Sequence, residues 1–172
     1  LDNLGLEKPT TTEELYQVLK AFKEQDANGN GDPNDEIPLS TCKSGSGVEL
    51  DGFLMNPFIL SPQKEKMWVD NGKVVYSPIE DEYREGLAYV NKLYEEGLIY
   101  PESFTQDKNA QVNINEGGED TVIGAFLAQR PGYANDLSTL PNSKKWEQYE
   151  SLAPIKGPDG VARAAWNPYA QY

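Results

Sequence analysis

The sequence predicts an α/β fold on three observations. Leu15, Val18, Leu19 and Phe22 recur at i, i+3, i+4 and i+7, one apolar face of a helix. A second helical pattern runs over 80–96, with Tyr83, Leu87, Val90 and Tyr94 spaced four, three and four apart. Short β-rich runs lie between and beyond these helices, at 66–76 and 121–126, and such alternation marks α/β or α+β architectures.

The first helix is expected over 12–25. Pro9 and the run Thr10-Thr11-Thr12 precede Glu13 and Glu14, so Thr10-x-x-Glu13 or Thr11-x-x-Glu14 can form a capping box. After Pro38 comes a polar, glycine-containing loop, then GFLMNPFIL (52–60), an apolar run broken by Pro57. KMWVDNGKVVY (66–76) reads as a hairpin, because Asn71-Gly72 suits a type I′ turn between two β-rich arms. Gly97 followed by Leu98 marks a Schellman stop for the second helix.

Residues 105–120 are polar with Gly117-Gly118, a loop or weak helix. TVIGAF (121–126) has the composition of a buried strand, and 130–145 is loop-like with one helical turn. WEQYESLAPI (146–155) reads as a further strand and GPDG (157–160) as a turn. The 172 residues suffice for one domain with a sizeable core and are short for two, so a single α/β domain over 1–172 is expected. The chain starts at Leu1 in mid-pattern, with no initiator Met or signal segment, which reads as a piece of a longer protein.

Composition narrows the function. With 28 acids against 15 bases, the net charge is -13, which argues against nucleic-acid backbones and anionic membrane surfaces. There is no histidine, so His-based acid/base catalysis, Ser-His or Cys-His pairs and His-ligated zinc are excluded from this chain. The single cysteine, Cys42, excludes an internal disulfide and any CxxC metal site.

The chemistry concentrates in DANGNGDPNDEIP (26–38). Calcium takes six to eight oxygens, and a short loop with donors on alternate residues can curl around it. With Asp26 as position 1, Asn28 and Asn30 take positions 3 and 5, Gly31 gives the turn at 6, and Asp32 at 7 donates its main-chain carbonyl. An EF-hand closes with Glu at position 12. Here that residue is Ile37, so Asp35 and Glu36 are the available closers. The competing reading is an Asx-rich turn satisfied by its own hydrogen bonds. Four carboxylates in eleven residues repel one another unless a cation offsets them, which favours calcium. Consecutive ligands saturate the ion, so its role is structural. Extracellular calcium modules bind at about 10⁻⁴–10⁻³ M, which places such a site outside the cytosol.

In order along the chain, three stretches resemble the extracellular solute-binding proteins of bacterial ABC importers, of the carbohydrate-binding, alginate-binding and lipoprotein type. They are LDNLGLEKPTTTEELYQVLKAFKEQDANGNGDPNDEIPLS (1–40), DNGKVVYSPIEDEYREGLAYVNKLYEEGLIYPESF (70–104) and LAPIKGPDG (152–160), about half the chain. The resemblance implies one lobe, the C-terminal one, of a two-lobed periplasmic-binding-protein type II fold, closing on sugar or oligosaccharide in a cleft. It also implies ABC permease subunits as partners, a monomer with no nucleic acid, no enzymatic activity, and an extracellular, lipid-anchored full-length protein. In that family the similar loop binds calcium through residues matching Asp26, Asn28, Asn30, the carbonyl of Asp32, and Asp35-Glu36. Three residues separate Gly31 from the acid pair here, where the family's common form has two.

Sugar sites stack pyranose faces on aromatic rings and hydrogen-bond hydroxyls with polar side chains. Tyr133, Trp166 and Arg130 are the candidates, lying in Pro- and Gly-bearing loops where exposed aromatics serve function. Arg130 and Tyr133 also follow the strand TVIGAF, as ligand loops do in α/β folds. Phe53 and Trp68 are further aromatic candidates, weighed toward the core, Trp68 because it lies in a hairpin arm. Two other functions compete: a structural calcium module of a cell-surface protein, and a glycosidase using two carboxylates. No acid pair lies in the apolar surroundings that would raise a catalytic pKa, and the loop is not repeated.

Overall fold

The computed structural model describes residues 1–43, 50–62, 65–128, 131–134 and 145–164. Helix α1 (Thr12–Glu24) starts as the capping signal predicts. The Thr11 side chain accepts from Glu14 N–H, and the Glu14 carboxylate accepts from Thr10 N–H (2.6 Å) and Thr10 Oγ1 (2.8 Å). All four of its periodic residues are buried and join the main core with Leu39, Leu54, Leu93, Leu98, Ile99 and Ile155.

Strand β1 (Ile37–Ser40) follows the acidic loop directly. After it come a short helix α2 (Leu50–Leu54), the hairpin strands β2 (Met67–Asp70) and β3 (Lys73–Tyr76), and helix α3 (Asp81–Glu95). Helix α4 (Lys108–Glu116) and strand β4 (Ile123–Phe126) complete the regular elements. β4 pairs parallel to β1, with Ile37 opposite Ile123 and Leu39 opposite Ala125. Pro38 is tolerated because neighbouring residues point their N–H groups to opposite sides of a strand. Ile37 N–H reaches Val122 O (2.7 Å) on the β4 side, so the missing donor of Pro38 falls on the other side.

The hairpin forms as expected, with Asn71 (φ 47°) and Gly72 (φ 80°) both left-handed, as a type I′ turn requires. The Schellman stop of α3 also forms. Leu98 N–H reaches Leu93 O (2.8 Å), Gly97 N–H reaches Tyr94 O (2.9 Å), and Gly97 has φ 68°. The 157–160 turn closes through Gly160 N–H to Gly157 O.

Three expectations need correction. The buried face of α3 is not Tyr83-Leu87-Val90-Tyr94. It is Gly86, Tyr89, Val90 and Leu93, while Leu87 and Tyr94 are nearly half exposed. Gly86 sits on that face against Met55, whose Cε would lie 2.6 Å from an added Cβ. Residues 105–120 contain a full helix, capped by Asp107 accepting from Ala110 N–H, whose inward residues Gln111 and Asn115 are polar. Residues 146–155 hold no strand. Lys145–Gln148 form a 3-10 turn, Ile155 packs into the core with α1, and isolated bridges to Thr11 and Ala162 fall on Lys156. Phe53 packs against the core, as assigned, while Trp68 is half buried. Among the described residues no helix is long and apolar enough to cross a membrane.

Candidate functional site

The acidic loop joins the end of α1 to the start of β1, so both its ends are anchored to buried elements. Its main chain turns sharply at Gly29 (φ 79°) and Gly31 (φ 92°), where only glycine adopts the conformation without strain. Asp26 Oδ1 accepts from the N–H groups of Gly29 (2.7 Å) and Asn30 (3.1 Å), and its Oδ2 from Gly31 N–H (2.8 Å). Asn28 Oδ1 accepts from Asn30 N–H and Asn30 Oδ1 from Asp32 N–H, so successive side chains each cap the next turn.

The closing acids converge on this coil. Asn30 Nδ2 lies 2.7 Å from Asp35 Oδ2 and Asn28 Nδ2 lies 3.4 Å from Asp35 Oδ1. Glu36 Oε1 accepts from Ala27 N–H (2.7 Å) and Asn28 N–H (3.3 Å). Asp32 turns its carboxylate to Asn34 instead, accepting from its N–H (3.0 Å) and Nδ2 (3.1 Å). The extra residue of the loop is thus absorbed by an Asp32–Asn34 turn, and Asp35 faces the two asparagines.

Glu36 Oε2 is the atom the Asx-turn reading does not explain. It is buried and has no hydrogen-bond partner among the described residues. A carboxylate oxygen only accepts, so burying it unpaired carries a desolvation penalty of about 1–3 kcal/mol, more for a charge. A cation relieves that penalty. Among the described residues no three acidic side chains alone form a metal-holding group, so a cation here would depend on amide and carbonyl oxygens as well. That donor chemistry fits calcium and not a transition metal.

A second polar centre lies beyond the carboxyl ends of β1 and β4, where α/β folds place ligands. Gln106 Nε2 donates to Thr41 O (2.6 Å) and Ser40 Oγ (3.0 Å), and Ser40 Oγ donates to Gln111 Oε1 (2.9 Å). Gln111 Nε2 donates to the Tyr133 carbonyl (2.7 Å), which draws the 131–134 segment onto α4. Tyr133 is only 7% exposed and packs beside Cys42, so its ring is not the open stacking face expected from a Pro/Gly loop. Burial, ahead of the nearby Asp107 charge, pushes the Cys42 thiol up. Arg130 and Trp166 lie outside the described residues. The buried glutamines here escaped sequence reasoning, because polar residues in a polar stretch carry no periodic signal.

No family model matches the chain. The chain is nonetheless homologous to part of the substrate-binding proteins of ABC transporters. The fructooligosaccharide ABC transporter substrate-binding protein FusA of Streptococcus pneumoniae is 37% identical over 166 residues, 96% of this chain and 28% of that protein. Lipoprotein LipO of Bacillus subtilis is 35% identical over 173 residues, 94% of this chain and 34% of the relative. The solved structure of S. pneumoniae FusA in complex with kestose matches with a TM-score of 0.77 at 33% identity, covering 95% of this chain and 32% of that one. A FusA EF-hand mutant in complex with fructo-nystose matches with the same TM-score at 32% identity and the same coverage. The chain therefore spans about a third of the length of these relatives. A mixed helix and strand fold matching them over that part alone is consistent with one lobe of a two-lobed fold.

Proposed function

We propose that this chain is one lobe of the solute-binding component of an ABC importer that takes up oligosaccharides. The supporting observation is the shared fold over 95% of the chain with a kestose-bound structure. The other lobe supplies the opposite wall of the cleft, and closure on solute presents the complex to the permease subunits. The intact protein works outside the cell, held by a lipid anchor, in line with a relative named as a lipoprotein. Calorimetry of the intact polypeptide with kestose and a panel of other oligosaccharides tests this reading. Saturable heat with at least one of them supports it, and no heat with any overturns it.

The 26–36 loop holds a structural calcium ion in this reading. Asp26, Asn28, Asn30, Asp35 and Glu36 supply side-chain oxygens, and Asp32 its carbonyl. The buried, unpaired Glu36 Oε2 supports the assignment, as does a matching structure described as an EF-hand mutant. Bound there, calcium would offset the repulsion among four carboxylates and tie α1 to β1.

A further inference from the structure

The acidic loop is held from outside as well as from within. Asn3 Nδ2 donates to Ala27 O at 3.0 Å, across 24 residues of chain. The same nitrogen packs on Gly29, where an added Cβ would lie 3.2 Å from it. Asn3 therefore touches the residues on both sides of Asn28.

The donor stands on a fixed platform. Asp2–Leu4 form a 3-10 turn, closed by Leu4 N–H to Leu1 O (3.0 Å) and Gly5 N–H to Asp2 O (3.0 Å), with Gly5 left-handed at φ 63°. Leu1, Leu4 and Leu6 pack against the main core, and Ala27 joins them there.

In a trans peptide the C=O and the following N–H point in opposite directions. On one side of the Ala27–Asn28 peptide, Ala27 O accepts from Asn3. On the other, Asn28 N–H donates to Glu36 Oε1 (3.3 Å), which also accepts from Ala27 N–H (2.7 Å). The next N–H, of Gly29, is held by Asp26 Oδ1 (2.7 Å). The peptide is thus pinned at both edges, and its orientation sets how Asn28 and Glu36 present their oxygens. Water can replace the Asn3 amide at this exposed carbonyl, but water is not tied to the core and leaves the peptide plane free to rotate.

We propose that Asn3 is a positioning residue for the cation site: it clamps the Ala27–Asn28 peptide to the core and so keeps Asn28 and Glu36 oriented for calcium, without ligating the ion itself. The role rests on the calcium reading above and adds to it a residue from outside the 26–36 loop. Calorimetric titration of the intact, calcium-stripped polypeptide with calcium tests it. Asn3→Leu keeps the size of the side chain and removes the donor, and should weaken calcium about threefold to tenfold. Asn3→Ser, too short to reach Ala27 O and without an exposed apolar group, should weaken it alike and keeps the test open if the leucine variant folds poorly. Luminescence lifetimes of bound Eu³⁺ in H₂O and D₂O count the waters on the ion. Both variants should carry about one more water than the parent, because a ligand that swings away is replaced by solvent. A purely structural Asn3 would lower the melting temperature in EGTA and leave affinity and water count alone. Parent-like calcium affinity, or a parent-like water count, in both variants overturns the role of Asn3 and leaves the calcium assignment standing. A parent that binds no calcium removes the role together with the assignment on which it rests.

Discussion

Removing calcium should lower the melting temperature of this protein, and Glu36→Gln should abolish that response. Glu36 isolates the effect because its two oxygens have different duties. Oε1 already accepts from Ala27 and Asn28 N–H, while Oε2 is buried without a partner. A ligand at about 100-fold excess over its Kd stabilises by about 2.7 kcal/mol. In a domain of this size each kcal/mol moves the midpoint by about 2–4 °C, so EGTA should lower the melting temperature by about 5–10 °C. In the glutamine variant the side-chain carbonyl still accepts from Ala27, but an NH₂ group takes the place of Oε2 and presents a donor to the cation. Its melting curves in EGTA and in millimolar calcium should therefore coincide. In EGTA the variant should be no less stable than the parent, because it removes an unpaired buried charge. Differential scanning calorimetry in both conditions reads all four states. Coincident parent curves, or a calcium shift retained in Glu36→Gln, would refute the reasoning.

Other outcomes follow from the packing and the charges. Leu93→Ala should destabilise by about 2–5 kcal/mol in urea titration, because Leu93 is fully buried. Leu87→Ala, at a position 48% exposed on the same helix, should cost about 0.5 kcal/mol or less, and the reverse order would restore the face read from periodicity. The Thr10 N–H beside Glu14 holds its carboxyl below the ordinary 4.5. A depressed folded pKa contributes stability that is present above the ordinary value and lost as pH falls through the folded one. Glu14→Gln should therefore flatten the acid limb of the urea midpoint below about pH 4.5 and lower the midpoint above it. Cys42, 1% exposed with its thiol pushed up by burial, should react with a thiol reagent only after unfolding; stoichiometric labelling of native protein would contradict that burial.

What the sequence made legible follows from where each element's signal resides. Helix α1 and the hairpin turn are encoded locally, by four apolar residues on one face and by Asn71-Gly72, and both form as read. The acidic loop is legible for the same reason, since all its donors are consecutive. Helix α3 has the right extent but the wrong face, because aromatic Tyr83 and Tyr94 weigh as apolar while one of the two buried positions is Gly86, which carries no apolar side chain to register. Helix α4 stayed ambiguous because Gln111 and Asn115 satisfy the interior by hydrogen bonding, a solution that hydrophobic spacing does not register. Residues 146–155 have the composition of a strand but none of them pairs; the nearest bridges, to Thr11 and Ala162, fall on Lys156. Burial in a loop depends on contacts distant in sequence, and Tyr133 shows the consequence: its loop composition suggested exposure, and its carbonyl is bonded to Gln111 with the ring buried.

The parallel pairing of β1 with β4 has a consequence for how the molecule is assembled. The hairpin, α3 and α4 all lie between these two strands in the sequence. The helices and the type I′ turn close early from local contacts, but the central sheet waits for a partner from the far side of the chain. As a polypeptide emerges N-terminus first, the side of Ile37–Ser40 that takes β4 stays open until Ile123–Phe126 follows, even once Leu39 has bridged Ile99, and that interval is when it is open to mispairing with other chains. Any fragment cut before Ile123 therefore keeps its local elements and lacks the step that joins them.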